Sequence, residues 1–234
     1  MKTPAKKIIQ SALDRGQKAL SEHESKQLLA SYGIPVTTEI LAPTADKALK
    51  AAEAIGFPLA MKVCSPQLLH KTESHAVALN ITSLSEVQDT FEKLVRIVPE
   101  SDGILVQAMV PGKRELVVGL SRDPQFGPCV MLGIGGIFTE VLADTAFRAV
   151  PFDRVEALDM AAELRGSKLL DAFRGEPPVD LDKVADILLA IGDIARSHPE
   201  VAEIDINPLI VNPDGLCVAV DALVVLNSGV QAED

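Results

Sequence analysis

The sequence predicts an α+β fold of two lobes, and three observations carry that prediction. The chain has 234 residues with a hydrophobic fraction of 47%, enough for one large domain or two lobes with real cores. Strand-like runs follow one another across short turns, as at Arg122-Asp123-Pro124-Gln125-Phe126-Gly127 and Asn212-Pro213-Asp214-Gly215, the mark of antiparallel pairs. Capped amphipathic helices lie between those pairs. Residues 28–102 form the smaller lobe, and 1–27 with 103–234 the larger. The two meet near residues 103–112.

In chain order, residues 5–20 read as a short amphipathic helix. Ser21-Glu22-His23-Glu24 is a capping box that opens a second helix, ending at Tyr32-Gly33 with Pro35 beyond. Val36–Leu41 is a strand. A helix starting at Thr44 or Ala45 ends at Ile55 and is closed by Gly56. Pro58–Cys64 is an apolar strand holding one lysine, Lys62. Residues 65–76 are a polar loop, and Val77–Ile81 is a strand. Ser83 or Ser85 caps a helix to about Val98, with Val87, Phe91, Leu94, Val95 and Val98 on one face. Strands follow at Gly103–Val110, Arg114–Ser121 and Pro128–Gly133. After the glycine-rich turn Gly133-Ile134-Gly135-Gly136, Phe138–Leu142 and Ala146–Phe152 read as strands. Helices at Asp153–Leu164 and Leu181–Ser197 flank an irregular turn.

The net charge is −11 and no basic cluster stands out, which argues against a nucleic-acid or anionic-membrane surface. A phosphate ligand must then be held locally, by a few cations, amides or a metal. With no Trp and one Tyr, aliphatic side chains must fill the core. Cys64, Cys129 and Cys217 lie far apart in apolar runs and read as buried, reduced thiols of a cytoplasmic protein. No run of signal-peptide or membrane-span length is present. His23 and His198 read as surface residues at helix ends.

The segment Glu203–Ala222 reads as a hairpin closed by Pro213-Asp214-Gly215. A turn centred on Asp214 sets Asn207 opposite Asp221. Alternation then puts Asp205, Asn207 and Asp221 on one face and sends Ile204, Ile206 and Val220 to the core. Two carboxylates and an amide oxygen with no Lys or Arg nearby suit Mg²⁺, or form an ordinary solvated face. Lys62 is either a phosphate clamp or an edge lysine with its head in water. His70, in the polar loop, is a phosphoryl acceptor if that loop folds over a phosphate. His75 is similarly placed. Gln107, Ala108, Met109 and Val110 end a strand whose backbone groups could face an adenine edge, with Glu115 accepting from ribose hydroxyls, or the run is an ordinary strand between the lobes. Gly135 and Gly136 offer amides to an anion, or simply make a tight turn. The spacing is not that of a dinucleotide-binding loop. Glu140 follows the turn.

These stretches together resemble the ATP-grasp β subunit of ADP-forming acyl-CoA (acetate–CoA) ligases, related to the succinyl-CoA synthetase β chain. The resemblance rests on Glu24–Leu29 with Tyr32-Gly33-Ile34-Pro35; Lys62, Ser65-Pro66 and His70-Lys71-Thr72; and Glu115 with Arg122–Pro128. It continues through Gly133–Phe138 with Glu140, Arg174-Gly175-Glu176-Pro177-Pro178, and Glu203–Pro208 with Asp221. It implies an ATP-grasp fold with the nucleotide between the lobes. Lys62 would contact phosphates, Gln107 to Val110 the adenine, and Glu115 the ribose. Asn207 and Asp221, with Asp205 nearby, would hold Mg²⁺, and His70 would carry a phosphoryl group. The cofactors implied are Mg²⁺ and ATP/ADP. The partner implied is a CoA-binding α subunit carrying a phosphorylated histidine. One departure stands out: His75-Ala76 occupies the place of two glycines. The activity implied is acyl-CoA + ADP + phosphate ⇌ acid + CoA + ATP. A nucleotide-binding regulatory module without chemistry is the alternative.

Overall fold

The computed structural model describes residues 3–65, 76–98, 101–136, 144–172 and 175–227. His70, His75, the strand expected at Phe138–Leu142, Glu140 and Arg174 lie outside them. The chain divides into two compact units. One comprises residues 21–23 and 37–110, the other residues 1–20, 24–36 and 111–234. These divisions differ from those read in the sequence because the strand at Gly103–Ala108 pairs within the smaller unit.

The smaller unit holds β1 (Glu39–Ala42), α1 (Ala45–Ile55), β2 (Leu59–Cys64), β3 (Val77–Ile81), α2 (Leu84–Leu94) and β4 (Gly103–Ala108). Its helices start where the sequence puts the caps. Thr44 and Ser83 are extended, and each hydroxyl accepts the N–H three residues on, satisfying a donor the helix cannot. Gly56 closes α1 with φ 86°, a conformation that favours glycine. Helix α2 ends at Leu94, short of Val98, although Val95 and Val98 still pack on the core. The sheet order is β1-β4-β2-β3, all antiparallel. Alternation gives it two different faces. Ala42, Leu59, Met61, Val63, Ile104 and Val106 fill the core with Val87, Phe91 and Leu94 of α2. Opposite residues share a face, so Glu39, Ala60 and Gln107 lie together on the other side, as do Lys62 and Leu105.

The larger unit holds α3 (Thr3–Asp14), most of α4 (Glu22–Ser31), β5 (Arg114–Asp123), β6 (Gly127–Ile134) and β7 (Thr145–Ala149). It continues through α5 (Arg154–Glu163), α6 (Leu181–Ser197), β8 (Val201–Val211), β9 (Cys217–Ala219) and β10 (Ala222–Leu226). The sheet order is β10-β8-β5-β6-β7, with β9 also on β8. Leu116, Val118, Leu120, Val130, Leu132, Ile204 and Ile206 pack with Ile187, Leu188, Ile191 and Ile194 of α6 to make the core. Their alternates, including Glu115, Gly119, Met131, Phe147 and Asp205, take the opposite face, where Phe147 is exposed.

Two surface expectations fail. His198, at the end of α6, is 3% exposed, and its Nε2 lies 2.9 Å from the Tyr32 hydroxyl. Burial lowers its pKa, opposed by the Glu200 charge. His23 is half-buried, and its Nδ1 meets Glu39 Oε1 at 2.9 Å. All three cysteines are free; Cys64 and Cys217 are buried but Cys129 only partly. Burial pushes the Cys217 thiol up to about 12, so it stays protonated. Among the described residues no helix is long and apolar enough to cross a membrane.

Candidate functional site

In the smaller unit the site is built around Lys62. It lies on β2, an interior strand, and is 4% exposed, so it is not an edge lysine with a solvated head. Its Nζ donates to Glu22 Oε1 at 2.8 Å, and the two side chains are only 5% and 1% exposed. A buried ammonium requires such a partner. Here a carboxylate of the chain itself fills that role at the first residue of α4, where helix amides also favour negative charge. Forty residues separate the two, so no local pattern reveals Glu22 as a site residue.

Gln107 lies on the same sheet face as Lys62 and is 1% exposed. The next residues narrow what the backbone can offer an adenine. Ala108 N–H donates to Thr38 O at 2.9 Å and Met109 N–H to Pro58 O at 3.3 Å. Among the described residues the Val110 N–H makes no hydrogen bond to the chain. The donor available at this strand end is therefore Val110. Ala76, in place of a glycine, is fully buried in the smaller core. Its carbonyl accepts the Val63 N–H at 2.9 Å. Its methyl lies in that core.

In the larger unit the glycine turn and Glu115 come together. Gly135 N–H donates to Glu115 O at 2.7 Å, and a Cβ on Gly135 would sit 2.9 Å from Glu115 backbone carbon. Only glycine allows that approach. Gly136 has φ 76°, and the position of its absent Cβ is 3.5 Å from Glu115 Oε2. The turn thus packs its backbone directly against Glu115.

The hairpin register is the one the turn predicts: Leu209 faces Ala219, and Ala222 faces Ile206. Strict alternation fails in the middle. Ala219 and Ala222 are both buried, while Val220 and Asp221 are only partly so. Val220 therefore leaves the core it was expected to join. The cause is a bulge, since two steps along β5, Leu116 to Val118, match three along β8, Leu209 to Ile206. Asp205 and Asn207 still alternate with the buried Ile204 and Ile206, and Asp221 follows at the bulge. Burial raises the Asp205 pKa, and the nearby charges of Glu203 and Asp221 raise it further. The negative charges of Glu203 and Asp221 thus lie close enough to Asp205 to be felt there. Among the described residues no three His, Cys, Asp or Glu side chains form a closed metal cage. Two carboxylates and an amide oxygen fit Mg²⁺, which keeps several waters and phosphate oxygens as ligands.

Two further residues that sequence reading missed hold this region. Asp144 Oδ1 and Oδ2 accept the N–H groups of Arg165 at 2.8 Å and Gly166 at 2.7 Å. Arg114 donates to the carbonyls of Leu169, Asp171 and Pro177. Its Nε lies 3.2 Å from Glu176 Oε2, a charge contact too bent to count as a hydrogen bond.

Residues 11–226 match the family model described as an ATP-grasp domain. The chain is 41% identical over 234 residues to the acetate–CoA ligase [ADP-forming] II subunit beta of Pyrococcus furiosus, covering 97% of this chain and 99% of that one. It is 40% identical to acetate–CoA ligase [ADP-forming] I of Archaeoglobus fulgidus, covering 97% of this chain but 33% of that longer one. A solved structure of acetyl-coenzyme A synthetase 1 from Ca. Korarchaeum cryptofilum matches with TM-score 0.85 at 39% identity, over 95% of this chain and 100% of that one. That protein is in complex with coenzyme A and Mg-AMPPCP, its phosphohistidine segment pointing towards the nucleotide binding site.

Proposed function

Because the chain belongs to the ATP-grasp family, among the β subunits of ADP-forming acetate–CoA ligases, we propose how its own residues divide the work of moving a phosphoryl group between ADP/ATP and a CoA-binding α partner. Lys62 on β2 supplies a fixed cation for phosphate oxygens, and Glu22 holds its ammonium in place. Gln107 and the strand end Ala108-Met109-Val110 receive the adenine, with Val110 as backbone donor. Glu115 accepts from ribose hydroxyls, while the Gly135 and Gly136 turn brings the backbone close to the phosphates. Asn207 and Asp221, with Asp205 beside them, hold Mg²⁺. When bound, that ion neutralises charge on the nucleotide phosphates.

His70 carries the phosphoryl group. Its neutral imidazole nitrogen attacks the phosphorus of the partner's phosphohistidine; a P–N bond to His70 forms as the P–N bond to the partner's imidazole breaks. The terminal phosphate oxygen of ADP then attacks, giving ATP and free His70. Two imidazoles in relay need no acid or base beyond the ring itself.

The observation that supports this reading best is the crowding of Asp205 by Glu203 and Asp221 on the face that carries Glu115. Carboxylates gathered on the sheet face that carries Glu115 favour a divalent cation with a phosphate ligand over a plain solvated face. The test is His70→Ala assayed with a CoA-binding partner. It should bind Mg-nucleotide like the wild type yet form no ATP from acyl-CoA, ADP and phosphate. Normal turnover would remove His70 from the pathway.

A further inference from the structure

The glycine turn and Glu115 sit inside a closed ring of hydrogen bonds. Glu115 O accepts from Gly135 N at 2.7 Å, and Ile134 N, next in the turn, donates to Asp144 O at 3.2 Å. The Asp144 carboxylate, in a residue 8% exposed, takes the successive N–H groups of Arg165 and Gly166. That turn runs into the 3₁₀ segment Ser167–Leu170. The carbonyls of Leu169, Asp171 and Pro177 then return to Arg114, the residue before Glu115. Two successive amides on one carboxylate and three carbonyls on one guanidinium are charge-assisted contacts, stronger than ordinary backbone pairs. Each fixes direction as well as distance.

The residues of the ring have different duties. Glu115 and Asp205 face away from the core, whereas Arg114 shares the side of Leu116 and reaches Leu169, Asp171 and Pro177. Neither Asp144 nor Arg114 has a place in the reaction described above. The hydrogen bonds and ion pairs of their side chains go to backbone groups and Glu176. A segment that served packing alone would not need a buried carboxylate and a nearly buried guanidinium at its two ends.

We infer that Asp144 and Arg114 are positioning residues, which clamp residues 165–171 as a brace that holds Glu115 and the Gly135–Gly136 turn in the geometry a nucleotide requires. The inference rests on the reading of Glu115 and the turn as nucleotide contacts.

The test measures the dissociation constant of Mg-AMPPCP for the full chain by calorimetry, well below the unfolding midpoint of each variant. Asp144→Asn keeps one acceptor oxygen and loses the charge; Arg114→Lys keeps the charge and loses the fork. Gly166→Ala keeps every hydrogen-bonding group. Its backbone, at φ −84°, tolerates alanine, but the new Cβ lies 3.1 Å from Asp144 Oδ2 and 3.2 Å from Ile134 Cγ1, so it presses directly on the clamp. Each should raise the dissociation constant roughly tenfold, the scale of one charge-assisted hydrogen bond lost. A purely structural role would lower the midpoint and leave the affinity of the folded protein alone. Gly166→Ala keeps the question answerable if the charge variants fail to fold. Glu115→Gln separates the two layers. If it weakens binding while the three clamp variants bind within twofold of wild type, the brace is overturned and the site stands. If Glu115→Gln also binds normally, the nucleotide reading falls and the brace with it.

Discussion

Removing the charge of Lys62 tests two roles at once. Lys62→Met takes from the buried Glu22 carboxylate its ammonium contact at 2.8 Å, in a pair whose side chains are 5% and 1% exposed. Breaking one side of a buried pair costs about 3–5 kcal/mol, because the contact is lost where water cannot replace it. For a chain of this size that is a fall in unfolding midpoint of roughly 6–20 °C. Glu22→Met should cost a similar amount for the mirror-image reason. The double variant removes both charges and keeps the volume, so it should recover most of the loss. Calorimetric unfolding of all four proteins gives the coupling. Losses that simply add, within about 0.5 kcal/mol, would refute the pair. The ligand role separates in the same proteins, since the restored double variant is folded but has no cation at β2. It should bind Mg-AMPPCP much more weakly than wild type. Wild-type affinity there would leave Lys62 a structural residue only.

Asn207→Ala with Asp221→Ala should abolish the rise in unfolding midpoint that Mg²⁺ with nucleotide produces in the wild type. An unchanged rise would refute the ligand assignment. Gly135→Ala would set a methyl 2.9 Å from the Glu115 backbone; forcing that contact costs about 1–3 kcal/mol and should weaken nucleotide binding by calorimetry, and a neutral result would mean the turn moves freely. His198 has a pKa lowered from its ordinary 6.5 by burial, so the unfolded chain takes up a proton that the folded one refuses. Stability from the neutral ring is therefore intact above about pH 6.5 and drains as pH falls towards the folded value. His198→Asn should flatten the unfolding midpoint between pH 7 and pH 5; an unchanged slope would assign the loss to other groups.

Most of the local architecture was legible because it is written in neighbouring residues. Thr44, Ser83 and Gly56 mark helix ends through their own hydrogen bonds and φ angles. The turn at Asp214 sets the hairpin register by geometry alone, and the pairing on either side of the bulge keeps it. Nonlocal facts were not legible. Glu22 meets Lys62 across forty residues, and Asp144 meets Gly166 across twenty-two; nothing in the spacing of either pair records that the chain brings them together. Val220 misled for a different reason. Alternation assumes a regular ladder, and the extra residue in β8 breaks it within the predicted site. His198 was misplaced because position at a helix end predicts exposure only when no aromatic neighbour such as Tyr32 covers it.

The bulge explains why the acidic residues converge at all. Before it, Ile204 and Ile206 face the core; after it, Leu209 and Val211 do. A strand that alternated without interruption could not bury both sets. The one-residue offset lets β8 satisfy the core at both ends, and it leaves Asn207 and Pro208 opposite Asp221 and Val220 with none of the four buried. Polar groups there cost little desolvation by themselves. Asp205, one step nearer the buried ladder, feels the low dielectric and the charges of Glu203 and Asp221. The hairpin thus holds a graded set of oxygens, open at Asn207 and increasingly buried towards Asp205. On the proposed reading, such a gradient would suit a cation that keeps part of its shell for a phosphate ligand, with the more exposed Asn207 and Asp221 oxygens sharing it with ligand and water.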